Sequence, residues 1–190
     1  MAPVLGRSRR CRTANFARLS ASKRTRCSGP NRAARPIDET LIGGKVYGKG
    51  VGRHLENKTV VLGVVERGGD IVTKVVPNVK SVTLVPEVKA VVVEGTAIHT
   101  DALHSYKTLK NEGFTHEYVN HHRGQYVSVT GCHTQTIEGF WSQLKRGING
   151  THIHVSPKHL PKYLGEFEYR WNMRRTPHLM LDRLLHSFTR

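Results

Sequence analysis

Hydrophobic and polar positions follow a strand-like pattern in the first half of the chain. Thr59–Glu66 is a run rich in β-branched residues, and the turn-forming sequence Arg67–Asp70 separates it from a second apolar run, Ile71–Val76. Two such runs joined by a turn that contains glycine are typical of a β-hairpin. A shorter apolar stretch, Ile37–Ile42, is predicted to form a strand that ends at Gly43.

The middle of the chain mixes helical and extended signals. Asn78–Val88 is ambiguous, because a helix there must accommodate Pro86. Val91–Val93 and Thr96–Thr100 are both candidate strands, and one of them is expected to lead into Asp101. The elements predicted next are a helix over Leu103–Asn111, closed by Gly113, and a last short strand over Glu117–Asn120.

The C-terminal third has the period of amphipathic helices. The second of three predicted helices begins with Ser156 as its N-cap and Pro157 at its first position. The third is predicted to begin in the same way, with Thr176 and Pro177. The apolar faces are, in order, Ile137, Phe140, Trp141 and Leu144; Leu160, Tyr163, Leu164, Phe167 and Trp171; and Met180, Leu181, Leu184, Leu185 and Phe188. Strands followed by helices predict an α/β fold with a mixed sheet covered by helices.

Charge is distributed unevenly along the chain. The net charge is +16, and residues 1–36 contain ten of the 30 Lys and Arg residues but no Asp or Glu. An excess of this size favours polyanionic partners, of which nucleic acid is the commonest. The basic, Ser-rich arm has no apolar period and is expected to be disordered. Three interpretations stay open: a DNA-contacting tail, an organelle transit peptide, and an artefact of a start site or an upstream frameshift. The last is favoured, because a recognisable pattern begins abruptly at Ile37.

Several function classes are excluded or disfavoured by the composition. No run of 18 apolar residues exists, so a membrane span is not expected. The three cysteines, Cys11, Cys27 and Cys132, are too scattered for a disulfide framework or a zinc site, which favours a reducing cytoplasmic setting. The glycine-rich stretch Lys45–Asn57 is interpreted as a mobile loop, and it lacks the Gly-Lys-Ser/Thr sequence of a nucleotide-triphosphate site.

Three acidic residues stand out by their setting. Asp38 lies within the first predicted strand, Asp101 at the end of a later one, and Glu138 beside the buried stripe of a helix. Converging carboxylates repel each other unless cations are bound, and two Mg²⁺ or Mn²⁺ ions about 4 Å apart are the usual solution. Lys145, two helical turns after Glu138, is placed to hold a DNA phosphate. Spacing alone does not distinguish this arrangement from three ordinary surface acids and a solvated lysine.

Longer motifs reduce that ambiguity. In order along the chain they are I-D-E-T-x-I-G-G-K (Ile37–Lys45), V-V-E-R-G-G (Val64–Gly69), T-D (Thr100-Asp101) with Tyr106, V-N-H (Val119–His121), H-T-Q-T-I-E-G-F-W-S-x-L-K-R-G-I-x-G-T (His133–Thr151), H-V-S-P-K-H-L (His154–Leu160) and E-F-x-Y-R-W-N-x-R (Glu166–Arg174). Together they closely resemble the ISXO-like branch of the bacterial insertion-sequence DDE transposases. The resemblance covers roughly Ile37 to Arg175, and the block around Glu138 is long and specific.

The resemblance implies a ribonuclease-H-like catalytic domain over residues 37–190. It implies that Asp38, Asp101 and Glu138 are catalytic ligands of two Mg²⁺ or Mn²⁺ ions. Lys145, Arg146, His133 and Lys45 are expected to contact DNA. The implied reaction is hydrolysis at a transposon end, followed by attack of the freed 3′-hydroxyl on target DNA. The partners expected are transposon-end and target DNA and further copies of the chain in a synaptic complex, in the bacterial cytoplasm with the nucleoid.

The sequence also departs from the family pattern. No stretch matches the N-terminal zinc-ribbon or helix-turn-helix region with which the family recognises transposon ends, so weak cleavage or none is expected from this chain alone. Arg35-Pro36 replaces the apolar residues that normally precede the first acid, and Pro36 is expected to shorten that strand. Gln135 stands where the family typically has Asn. A truncated, inactive remnant that only binds DNA is therefore the alternative, and a nuclease of the same fold without strand transfer is a third possibility.

Overall fold

The computed structural model of the protein describes residues 34–43, 58–119, 133–152 and 155–188. The strands are β1 (Arg35–Gly43), β2 (Lys58–Val65), β3 (Ile71–Val76), β4 (Ala97–Asp101) and β5 (Thr115–Val119). The α-helices are α1 (Ser81–Val91), α2 (Gln135–Gly147), α3 (Leu160–Asn172) and α4 (Met180–Phe188). Shorter helical segments are a 3-10 helix at His104–Glu112, a π-helical turn at Ile148–His152 and a 3-10 turn at Pro177–Leu179.

The strands form one mixed sheet in the order β3-β2-β1-β4-β5. β1, β2 and β3 are antiparallel neighbours, whereas β4 runs parallel to β1, and β5 parallel to β4. Strand residues alternate between the two faces, and helices cover both. This arrangement confirms the predicted α/β, ribonuclease-H-like fold with a helical C-terminal third.

Each face of the sheet has its own hydrophobic core. On one face, α1 and the 3-10 helix bury Leu84, Val88 and Tyr106 against strand residues such as Ile37 and Ile98. On the other face, α2 and α3 pack on the alternate strand positions. The buried residues of this second core include Ile42, Val61, Val65, Ile71, Ile137, Phe140, Trp141, Leu144, Leu160 and Leu164. The stripe predicted for the first C-terminal helix is therefore confirmed, since all four of its residues are buried.

The edge strand β3 is held by side chains of α3. The Asn172 amide accepts a hydrogen bond from Ile71 N at 2.8 Å and donates one to Ile71 O at 3.0 Å. The buried carboxylate of Glu168 accepts a hydrogen bond from Thr73 N at 2.5 Å. These contacts occupy backbone groups that an edge strand would otherwise offer to another chain.

Several predicted boundaries were wrong. β1 begins at Arg35, and Pro36 lies buried within it. The proline does not shorten the strand. Pairing of β1 with β2 starts only at Ile37, so the absence of a backbone N–H on Pro36 removes no hydrogen bond between these two strands. Asn78–Val88 resolves into helix α1, which contains Pro86. Of the two candidate strands before Asp101, the second is the strand, and Val91 instead ends α1.

The start predicted for the second C-terminal helix was wrong, whereas the third does begin at Pro177, as a 3-10 turn with Thr176 at the N-cap position. Ser156 accepts hydrogen bonds from the backbone N–H groups of His159 and Leu160 in a turn, and α3 begins only at Leu160. In α4, Leu181 and Leu185 are 66% and 56% exposed, so the apolar face expected there is not buried. Residues 1–33 and the loop predicted at Lys45–Asn57 lie outside the described residues. None of the described helices has the length and apolar character that crossing a membrane requires.

Candidate active site

The candidate site lies where β1 and β4 separate. The two parallel strands pair at Arg35 with Ile98 and at Pro36 with His99, and no further pairing between them is recorded in the described strands. Asp38 and Asp101 each follow the last pair by two residues, so they lie opposite each other across the opening. The opening lies at the carboxyl end of β4, whereas β1 continues to Gly43; the carboxyl ends of parallel strands are the usual ligand sites of open α/β sheets.

Three carboxylates meet at this opening. One oxygen of each of Asp38, Glu39 and Asp101 lies within 4.8 Å of the others, a spacing suited to shared cation binding. Asp38 projects towards the α2 face of the sheet, as shown by its contact with Trp141. Glu39 projects towards the other face, and its carboxylate accepts a hydrogen bond from Tyr106. The opening brings together acids from both faces of the sheet.

Neighbouring groups fix the three carboxylates. The fully buried Tyr106 donates its hydroxyl hydrogen bond to Glu39 Oε2 at 3.0 Å. The backbone N–H of Leu103 donates to Asp101 Oδ1 at 3.0 Å. The indole N–H of Trp141 donates to Asp38 Oδ2 at 3.1 Å. Each acid of the group therefore has its own defined hydrogen-bond donor.

The electrostatics of the group are unfavourable without a cation. Burial, followed by the negative charges of Glu39 and Asp101, raises the pKa of Asp38 from 3.8 to about 7, although hydrogen bonds from the Glu39 backbone and Trp141 oppose the change. Burial and the charges of Glu39 and Asp38 raise the pKa of the Tyr106 hydroxyl, so it stays a donor at neutral pH. All the facing ligand atoms are carboxylate oxygens, which fit Mg²⁺ or Mn²⁺ rather than softer metals.

Helix α2 forms the opposite wall of the site. A cavity of about 510 Å³ opens between this helix and the strands, and its lining includes Asp38, Asp101, Glu138, Trp141 and Lys145. The Glu138 carboxylate accepts a hydrogen bond from Thr134 Oγ1 at 2.6 Å. Burial lowers the pKa of the Lys145 ammonium, and the negative charge of Asp38 acts in the opposite direction. The lysine therefore lies within electrostatic reach of the acidic group.

The structure brings some of the expected site residues together and leaves others apart. Asp38 and Asp101 come together, and Glu138 and Lys145 line the same cavity. Glu138 does not belong to the tight group of carboxylates found in the described part of the chain. Arg146 is exposed, and its Nε donates to the backbone oxygen of Ser142 at 3.3 Å. Lys45 lies outside the described residues.

His133 precedes α2 beside a group of basic side chains. Burial and the positive charge of Arg67 lower the pKa of His133, while Glu138 raises it. The guanidinium of Arg67 is 3.3 Å from His99 Nδ1, and that histidine also has a lowered pKa, mainly because of burial. Neutral imidazoles beside a guanidinium can donate hydrogen bonds to an anion.

Sequence reasoning missed Glu39, Arg67 and His99. Glu39 appears in the sequence analysis only within the motif Ile37–Lys45, and neighbouring residues of a strand point to opposite faces, so a site on one face does not suggest it. Its adjacency to Asp38 was the available signal. Trp141 was expected to pack in the core, and it does so, with 4% of the residue exposed, but its N–H also reaches Asp38.

Comparisons with known proteins identify the family of the chain. Residues 36–172 match the family model described as the ISXO2-like transposase domain. An uncharacterized transposase-like protein of Haemophilus influenzae is 32% identical over 105 residues, which cover 54% of this chain and 80% of that protein. The family match spans both strands that carry the aspartates and the whole of α2. The chain therefore belongs to the ISXO2-like transposase family.

Proposed function

We propose that the chain is a DDE transposase that cleaves DNA at transposon ends and joins the freed end to target DNA, with Asp38, Asp101 and Glu138 as its catalytic residues. The observation that carries this proposal is the convergence of Asp38 and Asp101 at the separation of β1 and β4, within a cavity that Glu138 also lines. The family provides the reaction type, and the geometry supports the residue assignment.

The ligand groups suit two Mg²⁺ or Mn²⁺ ions. The raised pKa of Asp38 reflects burial of its carboxyl beside two other acids, a cost that bound cations would offset. Asp38 and Asp101 would hold the ions, and Glu138 would complete the ligand set from α2. Divalent ions bound there supply positive charge that stabilises the phosphodiester as one oxygen replaces another in line.

The chain's own residues position the DNA. Lys145 follows Glu138 by two helical turns on the same side of α2, so its ammonium can contact a phosphate next to the acidic group. Arg146 and His133 are proposed as further DNA contacts, and so is Lys45, which follows β1 in the sequence. The protein supplies no covalent nucleophile; holding the reacting oxygen and the phosphorus in line is its part in catalysis.

The partners follow from charge and family. A net charge of +16 favours a polyanion, and we propose transposon-end and target DNA as substrates. Further copies of the chain would hold two transposon ends together in a synaptic complex. The reaction would take place on DNA in the bacterial cytoplasm.

The proposal is tested by cleavage of a labelled oligonucleotide that carries the element's own end sequence, with Mg²⁺ or Mn²⁺. The wild type alone should cut weakly or not at all, and restoring a cognate end-recognition region at its N-terminus should raise the metal-dependent cutting. Glu138→Gln should abolish cutting while leaving DNA binding largely intact, because it removes charge but keeps size. Glu112→Gln is the matched control, since Glu112 pairs with Lys89 outside the cavity and its loss should leave cutting unchanged.

Two outcomes would contradict the proposal. Metal-dependent cutting by Glu138→Gln at the wild-type rate would remove Glu138 from the catalytic set. No cutting by the wild type with either metal, even when a cognate end-recognition region is restored, would favour the alternative, a remnant that only binds DNA. Lys145→Ala serves as a separate probe, and it should weaken DNA binding rather than abolish the chemistry.

A further inference from the structure

Trp141 makes a polar contact that its position in the hydrophobic core does not require. Its indole Nε1 donates to Asp38 Oδ2 at 3.1 Å across the boundary between α2 and β1. An indole N–H can only donate and does not ionise, so it favours one orientation of the carboxylate over the whole working pH range. The Glu39 backbone donates a second hydrogen bond to this carboxyl group, and a carboxylate has about four acceptor sites, so others are left to bind a cation.

Gly63 makes this approach possible. In the sheet register Gly63 lies directly opposite Asp38. A Cβ atom at position 63 would lie 2.6 Å from Cζ2 of Trp141 and 2.9 Å from Cδ1 of Ile137, closer than carbon atoms can pack. The indole ring therefore occupies the space that any other residue at position 63 would need.

The same contact links α2 to the acidic group. Glu138, Trp141 and Lys145 are spaced i, i+3 and i+7 on α2, so they share one side of the helix, and all three line the cavity. Phe140 packs edge-on to the Trp141 ring, with 5.3 Å between the ring centroids, and limits its movement. A shift of the indole would therefore change the placement of Asp38 relative to the helix that carries the proposed third ligand.

We propose that Trp141 is the positioning residue for the Asp38 carboxylate, that Gly63 admits its ring, and that this pair sets the affinity of the site for a divalent cation. The inference rests on the proposed function, because it takes Asp38 to be a cation ligand. Groups that orient metal ligands typically contribute ten- to a hundredfold to metal affinity.

The main test measures Mn²⁺ affinity of the full chain by electron paramagnetic resonance titration, without DNA. Trp141→Phe keeps an aromatic ring but removes the N–H, and it should weaken Mn²⁺ binding by about ten- to a hundredfold. Trp171→Phe is the matched control. Trp171 packs edge-on against the same Phe140, at 5.6 Å and 88°, and its Nε1 has no hydrogen-bond partner among the described residues, so Mn²⁺ affinity should not change.

Gly63→Ala provides a second, independent variant. It keeps the indole but displaces it, so the loss of Mn²⁺ affinity should be similar to that of Trp141→Phe. The double variant should lose little more Mn²⁺ affinity than either single variant, because both substitutions act through the contact between Trp141 and Asp38. Circular dichroism verifies that each variant is folded, and if Trp141→Phe does not fold, Gly63→Ala carries the test with the same expected loss.

The outcomes separate this inference from the proposed function. Wild-type Mn²⁺ affinity in folded Trp141→Phe, together with lost affinity in Asp38→Asn, would overturn the inference and leave the proposed function standing. An equal loss in Trp171→Phe would overturn it as well, because general packing would then explain the effect. A wild-type chain that binds no Mn²⁺ would overturn both.

Discussion

Replacing Asp38 with Asn should stabilise the protein in the absence of metal at neutral pH. The pKa of Asp38 is about 7 in the folded protein, against 3.8 for a free carboxyl, chiefly because of burial. One unit of pKa corresponds to about 1.4 kcal/mol, so ionising this group costs the folded state about 4 kcal/mol more than the unfolded chain. The amide carries no charge and can still accept the hydrogen bond from Trp141.

The sign of the pH dependence follows from proton binding. Between pH 4 and 7 the folded state holds the Asp38 proton and the unfolded chain has released it, so the free energy of unfolding falls as pH rises. The stability difference between Asp38→Asn and the wild type should grow from near zero at pH 4 to about 4 kcal/mol at pH 8.

Urea unfolding followed by circular dichroism, with a chelator present, measures this difference across the pH range. Asp182→Asn is the control, because Asp182 is exposed on α4 and its replacement should change stability by less than about 0.5 kcal/mol at either pH. Adding Mn²⁺ should stabilise the wild type and so reduce the difference in unfolding free energy between it and Asp38→Asn. A difference that does not vary with pH, or an Asn variant less stable than the wild type at pH 8, would refute the reasoning.

Two further substitutions test the surroundings of the site and the sheet edge. Tyr106→Phe removes the hydrogen bond to Glu39 and should lower the free energy of unfolding at pH 8 by about 1.5–3 kcal/mol in urea titrations; unchanged stability would show that the hydroxyl does not hold the carboxylate. Asn172→Ala removes both hydrogen bonds to Ile71 and should cost about 1–3 kcal/mol. It should also increase light scattering on storage because the β3 edge is exposed; a variant as stable and as monodisperse as the wild type would contradict that role.

Local sequence signals were sufficient for the elements with a strong period. The run of β-branched residues and the Arg67–Asp70 turn produced the β2–β3 hairpin as predicted, closed by a hydrogen bond from Glu66 N to Asp70 O. The apolar stripe of α2 was also predicted correctly. Gly113 ends the preceding 3-10 helix with a φ of 83°, a conformation that glycine adopts without strain.

Elements decided by tertiary packing could not be predicted in the same way. Helix α1 forms despite Pro86, because burial of Leu84, Val85 and Val88 on the sheet outweighs the local preference. Conversely, the Ser156-Pro157 pair has the sequence of a helix start, yet it forms a turn that leads into the helix. A capping signal fixes the approximate start of a helix and not the first residue.

The site was predicted through its motifs and not through its geometry. The order of Asp38, Asp101 and Glu138 along the chain indicated which acids to expect. Glu39 belongs to the acidic group because β1 and β4 separate beside it. Trp141 reaches Asp38 because β2 has a glycine, Gly63, where the indole ring lies. Both features come from residues distant in sequence, so periodicity within one segment carries no information about them.

We propose above all that Asp38, Asp101 and Glu138 share divalent cations in the cavity between β1, β4 and α2. Anomalous scattering from a crystal of the protein grown with Mn²⁺ and transposon-end DNA tests it most directly. We expect Mn²⁺ peaks in contact with the Asp38 and Asp101 carboxylates, with Glu138 turned towards them and Lys145 beside a phosphate. Peaks confined to other surfaces, with the carboxylates of Asp38 and Asp101 free of metal, would contradict it.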